Sequence, residues 1–118
     1  MEYRNAEDLA WSMGDSGAKY VMRGPHVEWG IVKMKPGQSS KDHGKHIHHV
    51  VEETFFFLQG TPRFIIDGVE HRVRPGDAFR VEPNEHHNLI NDTDEDCIAV
   101  FIKYPYLPDD RIPDNEGE

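Results

Sequence analysis

Apolar and polar residues alternate with a period of two along most of this chain, and Gly, Pro, Asn or Asp interrupts the alternation every 6 to 10 residues. Short strands joined by turns produce that pattern; helices do not. It predicts strands over residues 27–34, 54–58, 63–66, 69–73, 78–81 and 97–103. Asp67-Gly68, between the third and fourth of these, is the pair that favours a two-residue hairpin turn. Residues 5–12 alone read as helical, with Asn5 as N-cap ahead of Leu9 and Trp11.

Many short strands at such spacing predict an all-β sandwich or closed double-sheet barrel. Residues 97–103 sharpen this, because Cys97, Ala99 and Phe101 on one face and Ile98, Val100 and Ile102 on the other are all apolar. Both faces should therefore be covered, one of them by a partner subunit. The tail, 104–118, is rich in Pro and acid, and Tyr106 and Leu107 predict that its first half drapes over a surface while its end frays. With 118 residues there is room for one core, and no linker or repeat divides it.

Composition narrows the partners. A formal charge of -9, with 13 Lys and Arg that form no basic cluster, argues against nucleic acid. No apolar run approaches the ~20 residues of a membrane span, and Met1 to Asn5 begin no apolar leader, so a cytoplasmic location is expected. Cys97 has no second cysteine to pair with and reads as a small packed hydrophobe. Gly14-Asp15-Ser16-Gly17 lacks the spacing and lysine of a phosphate loop, and no GxSxG is present. Asp109-Asp110 reads as solvated acid without chemistry.

The chemistry lies elsewhere. On a strand, residues i and i+2 point the same way with Cα atoms ~7 Å apart, so His46 and His48 can grip one metal ion. Singly, histidines such as His26 and His71 read as surface or core side chains. The whole pattern is more specific: His46-x-His48-x4-Glu53-x6-Gly60, fifteen residues, then Gly76-x5-Glu82-x-Asn84-x2-His87-x3-Asn91.

This pattern resembles the two motifs of the cupin superfamily, over about 37–60 and about 76–91, and the chain is similar to its small single-domain members. The resemblance implies one cupin domain over 1–118, a double-stranded β-helix or jelly-roll barrel with a short N-terminal helical or extended segment. It also implies a divalent ion held by His46, His48, Glu53 and His87. Two departures stand out. Eight residues separate Gly37 from His46, where the motif has five, lengthening the loop that carries Ser39, Ser40, Lys41, Asp42 and His43. Glu82 and Asn84 stand where the second motif has Pro and Gly; Asn is the non-glycine residue that best tolerates positive φ, so the turn is expected to survive.

Alternation from Glu53 predicts Phe55, Phe57 and Gln59 on the pocket wall, and turns His49, Glu52 and His86 away from the ion. Three imidazoles and a carboxylate suit Fe, Mn, Zn or Ni without choosing among them. The implied function is that of a metalloenzyme acting on a small oxygenated molecule or sugar derivative, as a dioxygenase or as a redox-neutral isomerase or decarboxylase. Acid or base roles are open to His43, His71, Arg80 and Glu82, and no catalytic residue is assigned. The alternative is a non-catalytic ligand- or sugar-binding module with a structural metal. A homodimer through the apolar outer face is expected.

Overall fold

A computed structural model describes residues 1–40, 46–110 and 112–113, with the side chains of residues 46, 112 and 113 outside the description. The chain forms β1 (Gly17–Arg23), β2 (Glu28–Met34), β3 (His46–Ile47), β4 (Glu52–Gln59), β5 (Arg63–Ile66), β6 (Val69–Arg72), β7 (Ala78–Val81), β8 (His87–Ile90), β9 (Cys97–Tyr104) and β10 (Ile112–Pro113). All pairings are antiparallel: a five-stranded sheet β1-β2-β9-β4-β7, a three-stranded sheet β6-β5-β8 and the pair β10-β3. The all-β barrel expected from the sequence is what forms.

The two larger sheets close around an aromatic core. Phe55 and Phe57 of β4 meet Phe64 of β5 edge-on, with ring centroids 5.1 and 5.8 Å apart, and Phe79 of β7 stands 5.4 Å from Phe64. Val32, Met34, Ala99, Phe101 and Leu89 complete the interior. Cys97 is buried there, and burial pushes its thiol up to about 12, so it packs as a hydrophobe and is inert as a nucleophile.

Turn chemistry is local. Asp67 and Gly68 have φ of 47° and 79°, the two positive values that a tight β5–β6 hairpin requires. Asn84 takes φ 68°, so asparagine does replace the motif's glycine without loss of the turn. Asn91, fully buried, donates through Nδ2 to the carbonyls of Met34 and Glu95 and accepts through Oδ1 from Thr93, tying β8 to the turn before β9. Gly60 needs its hydrogen side chain, because a Cβ there would lie 2.8 Å from the Asp96 carbonyl at φ +88°.

Two expectations need correction. The N-terminal helix is only a 3-10 turn over Ala6–Asp8, although Asn5 does cap it by accepting from the Glu7 amide. Gln59 is not on the inner wall: the β4–β9 register shifts between Phe57 and Gln59, and the extra residue turns Gln59 outward, exposed, to donate to the Asp96 carbonyl. Such bulges reset alternation wherever they occur. The outer face of β9, expected to meet a partner subunit, is partly exposed within this chain, with Ile102 40% exposed and Phe56 and Leu58 of β4 at 42% and 52%.

Candidate metal centre

The site starts from one rung of the five-stranded sheet. Arg23 pairs with Glu28, Glu28 with Lys103, and Lys103 with Glu53 across β1, β2, β9 and β4. Directly paired residues project from the same face, so this rung carries alternating charges toward one end of the barrel. Glu28, Lys103 and Glu53 are all buried. Arg23 Nε donates to Glu28 Oε2 at 2.5 Å, Lys103 Nζ lies 3.9 Å from Glu28 Oε1, and Lys103 Nζ donates to the Tyr20 hydroxyl at 3.2 Å.

Glu53 is where the two motifs meet. His48 Nε2 and His87 Nε2 stand 3.7 and 3.6 Å from the same Glu53 Oε1. These spacings exceed hydrogen-bond length. They are close to the ~3.4–3.6 Å between two ligand atoms bound at ~2.1 Å to one ion at tetrahedral to trigonal angles. Among the described residues, no set of three or more His, Cys, Asp and Glu side chains qualifies as a metal cage. What is described is two donor pairs sharing one carboxylate oxygen; the side chain of His46, at the start of β3, lies outside the description, as do Lys41, Asp42 and His43 of the long loop. The donor chemistry of His48, Glu53 and His87 fits a divalent ion.

Electrostatics keep Glu53 and His87 in ligand form. Burial by itself pushes the Glu53 carboxyl up, but His48, Lys103 and His87 overcome it and hold the group at about 2. Burial holds the His87 imidazole below its ordinary value against the pull of Glu53. The carbonyl of Asp110, which Nδ1 of His48 faces, can only accept, so Nδ1 carries a hydrogen and Nε2 is the nitrogen turned toward Glu53. The His48 carbonyl accepts from the Asn84 amide at 2.7 Å, so the second motif's turn also braces the first motif's histidine.

Not all predicted residues converge here. Phe55 and Phe57 are buried, Phe55 with its ring 5.9 Å from His87, but they belong to the aromatic core rather than to an open wall. His49 is exposed and its ring nitrogen meets Asn84 Oδ1 at 2.6 Å, away from Glu53. Arg80 and Glu82 pair with each other in solvent, and His71 packs on Phe79. The open cleft beside His48 is lined instead by Tyr20, Arg23, Glu28, Lys103 and Tyr106. Lys103 was legible as the one charge on the inner alternation Cys97, Ala99, Phe101; Asp110, read from sequence as a bare solvated acid, gave no such signal.

Comparison with known proteins agrees with this fold. Residues 30–103 match the family model described as a cupin domain. The structure of KdgF from a Halomonas species superposes with a TM-score of 0.75 at 20% identity, covering 92% of this chain and 97% of that one. A Cupin 2 conserved barrel domain protein from Salinispora arenicola gives 0.70 at 25% identity, covering 88% of each chain. A protein from Acidithiobacillus ferrooxidans, provisionally named a sugar phosphate isomerase, gives 0.62 at 24% identity, covering 80% of this chain and 65% of that one.

Proposed function

The chain belongs to the cupin family, and on that footing we propose that it is a metalloenzyme for a small oxygenated anion, with His46, His48, Glu53 and His87 holding one divalent transition metal. The observation that carries this reading is the approach of two imidazoles, one from each motif, to a single oxygen of a buried carboxylate. A divalent ion there would act as a Lewis acid on a substrate carbonyl or hydroxyl.

Charge counting supports an anionic substrate. Arg23 and Lys103 stand against Glu28, Glu53 and Asp110 around the cleft, so an added divalent ion leaves one uncompensated positive charge. A single carboxylate, or one ionised hydroxyl or enediol, would neutralise it. Sugar acids and related sugar derivatives have that chemistry, and the names KdgF and sugar phosphate isomerase among the structural relatives point the same way.

Catalysis is favoured over passive binding by what faces the cleft. Lys103 donates to the Tyr20 oxygen, so the phenolic hydrogen is not used in that bond. A phenolic donor beside a polarised carbonyl suits redox-neutral isomerisation. The pairing of two subunits through the outer face around Phe56, Leu58 and Ile102 belongs to the same reading.

Elemental analysis of tag-free protein beside His48→Ala, His87→Ala and His49→Ala tests it. About one transition ion per chain is expected in the wild type and in His49→Ala, and loss in the other two. Full stoichiometry in both His48→Ala and His87→Ala would refute the ligand set. Oxygen uptake by the iron-loaded protein with enediol substrates would move the reaction to the dioxygenase class.

A further inference from the structure

The segment after β9 is bound to the first motif more tightly than a passive tail requires. Asp110 Oδ1 accepts from the His49 amide at 3.1 Å, and Oδ2 accepts from the Val50 and Val51 amides at 2.7 and 2.8 Å. Its own carbonyl takes the Nδ1 hydrogen of His48. One residue thus gathers three consecutive amides and holds the imidazole of His48, two residues before Val50. These amides form the bend that carries the chain from β3 into β4, between His48 and Glu53.

The rest of the segment is anchored separately. The Tyr106 amide donates to the His26 carbonyl at 2.8 Å, and its ring lies where a Cβ on Gly24 would come within 2.6 Å. Tyr106 and Leu107 form one wall of the cleft beside His48. The carboxylate of Asp110 accepts from all three amides, the charge-assisted form of such bonds.

We propose that Asp110 is a positioning residue for the metal centre: its carboxylate sets the bend between His48 and Glu53, its carbonyl sets the His48 tautomer, and metal binding and docking of the 104–110 segment are therefore coupled. The inference rests on the ligand set proposed above. Coupling of this kind is reciprocal: whatever factor the docked segment adds to metal affinity, the metal must add to docking.

The test uses the full chain and Co²⁺ or Zn²⁺ as probe. Affinity is measured by chelator competition for the wild type, Asp110→Ala, Asp110→Asn and Asp109→Ala, with amide exchange followed at His49, Val50 and Val51. Loss of a group that orients a metal ligand weakens binding about 10- to 100-fold, and that is expected of Asp110→Ala. Asp110→Asn keeps one acceptor oxygen and should recover part of the loss, with a Co²⁺ absorption spectrum closer to wild type. Asp109→Ala should bind as the wild type does. Metal should slow exchange at Val50 and Val51 in the wild type but much less in Asp110→Ala.

Wild-type affinity in Asp110→Ala, with the three amides exchanging freely, would overturn the coupling while leaving the ligand set intact. A wild type that binds neither ion, yet still shows Asp110-dependent protection of those amides, would overturn the ligand set, and this role of Asp110 with it. If Asp110→Ala does not fold, Asp110→Asn carries the same comparison.

Discussion

Lys103→Met removes one charge from the centre of the buried rung while nearly keeping its volume. In the native protein the ammonium stands 3.9 Å from Glu28 Oε1 and is one of the groups that hold Glu53 ionised. Breaking a buried charge pairing from one side costs about 3–5 kcal/mol, because the remaining charge keeps its desolvation penalty. Glu28 retains Arg23 at 2.5 Å and Glu53 retains two imidazoles, so about 3 kcal/mol, the lower end, applies here. An unfolding entropy of about 2.1 cal/mol/K per residue gives ~0.25 kcal/mol/K for this chain, and hence a fall in Tm of roughly 12 °C. Calorimetry at pH 7 in chelator reads it directly. A divalent ion supplies positive charge beside Glu53 again, so added Zn²⁺ or Co²⁺ should raise Tm more in the variant than in the wild type. A fall of less than about 4 °C, equivalent to ~1 kcal/mol, would refute the argument that Lys103 compensates buried carboxylates.

Two other outcomes follow from the same geometry. Below pH 6.5 a histidine in the unfolded chain protonates more readily than buried His87, whose imidazole burial holds below its ordinary value, so the unfolded state binds more protons. Stability of metal-free protein should then fall with pH, by up to about 1.4 kcal/mol per unit through His87. Glu53 is ionised in both states above pH 5.5 and adds nothing to that slope. Urea titrations at pH 7.5, 6.5 and 5.5 should show a shallower fall in His87→Gln, and an equal slope would refute the burial of a neutral imidazole. On the outer sheet, Phe56→Glu places charge on the exposed apolar face around Ile102. Sedimentation should show a dimer for the wild type and a monomer for the variant, with unchanged far-ultraviolet dichroism; a monomeric wild type would remove the proposed interface.

Short-range features were open to inspection of the chain. Alternation located β2, β4, β5, β6, β7 and β9 to within two residues at each end, because half-buried strands must segregate their faces. The Asp67-Gly68 turn and the left-handed Asn84 were equally local, each demanded by backbone sterics at one or two positions. β1 escaped because the bulge between Tyr20 and Met22 breaks its period, and β8 because His87 and Asn88 continue the polar run from Asn84, leaving only Leu89 and Ile90 apolar.

Motif spacing brought His48, Glu53 and His87 forward as a group, since ligand types at strand intervals are a property of sequence. What surrounds them was not. Which carboxylate faces Lys103 depends on the register of β2 and β4 against β9, set by packing across residues more than forty positions apart. Gln59 left the inner wall because a single inserted residue reversed its direction. Asp110 lies sixty residues from the bend it holds, in a Pro-rich stretch where no periodicity reports direction. Strand identity and ligand chemistry are encoded locally, by alternation and residue type; the charge rung, the His48 tautomer and the clasp at Asp110 exist only once the barrel closes, because each needs partners that only the closed barrel brings within hydrogen-bond or Coulomb range.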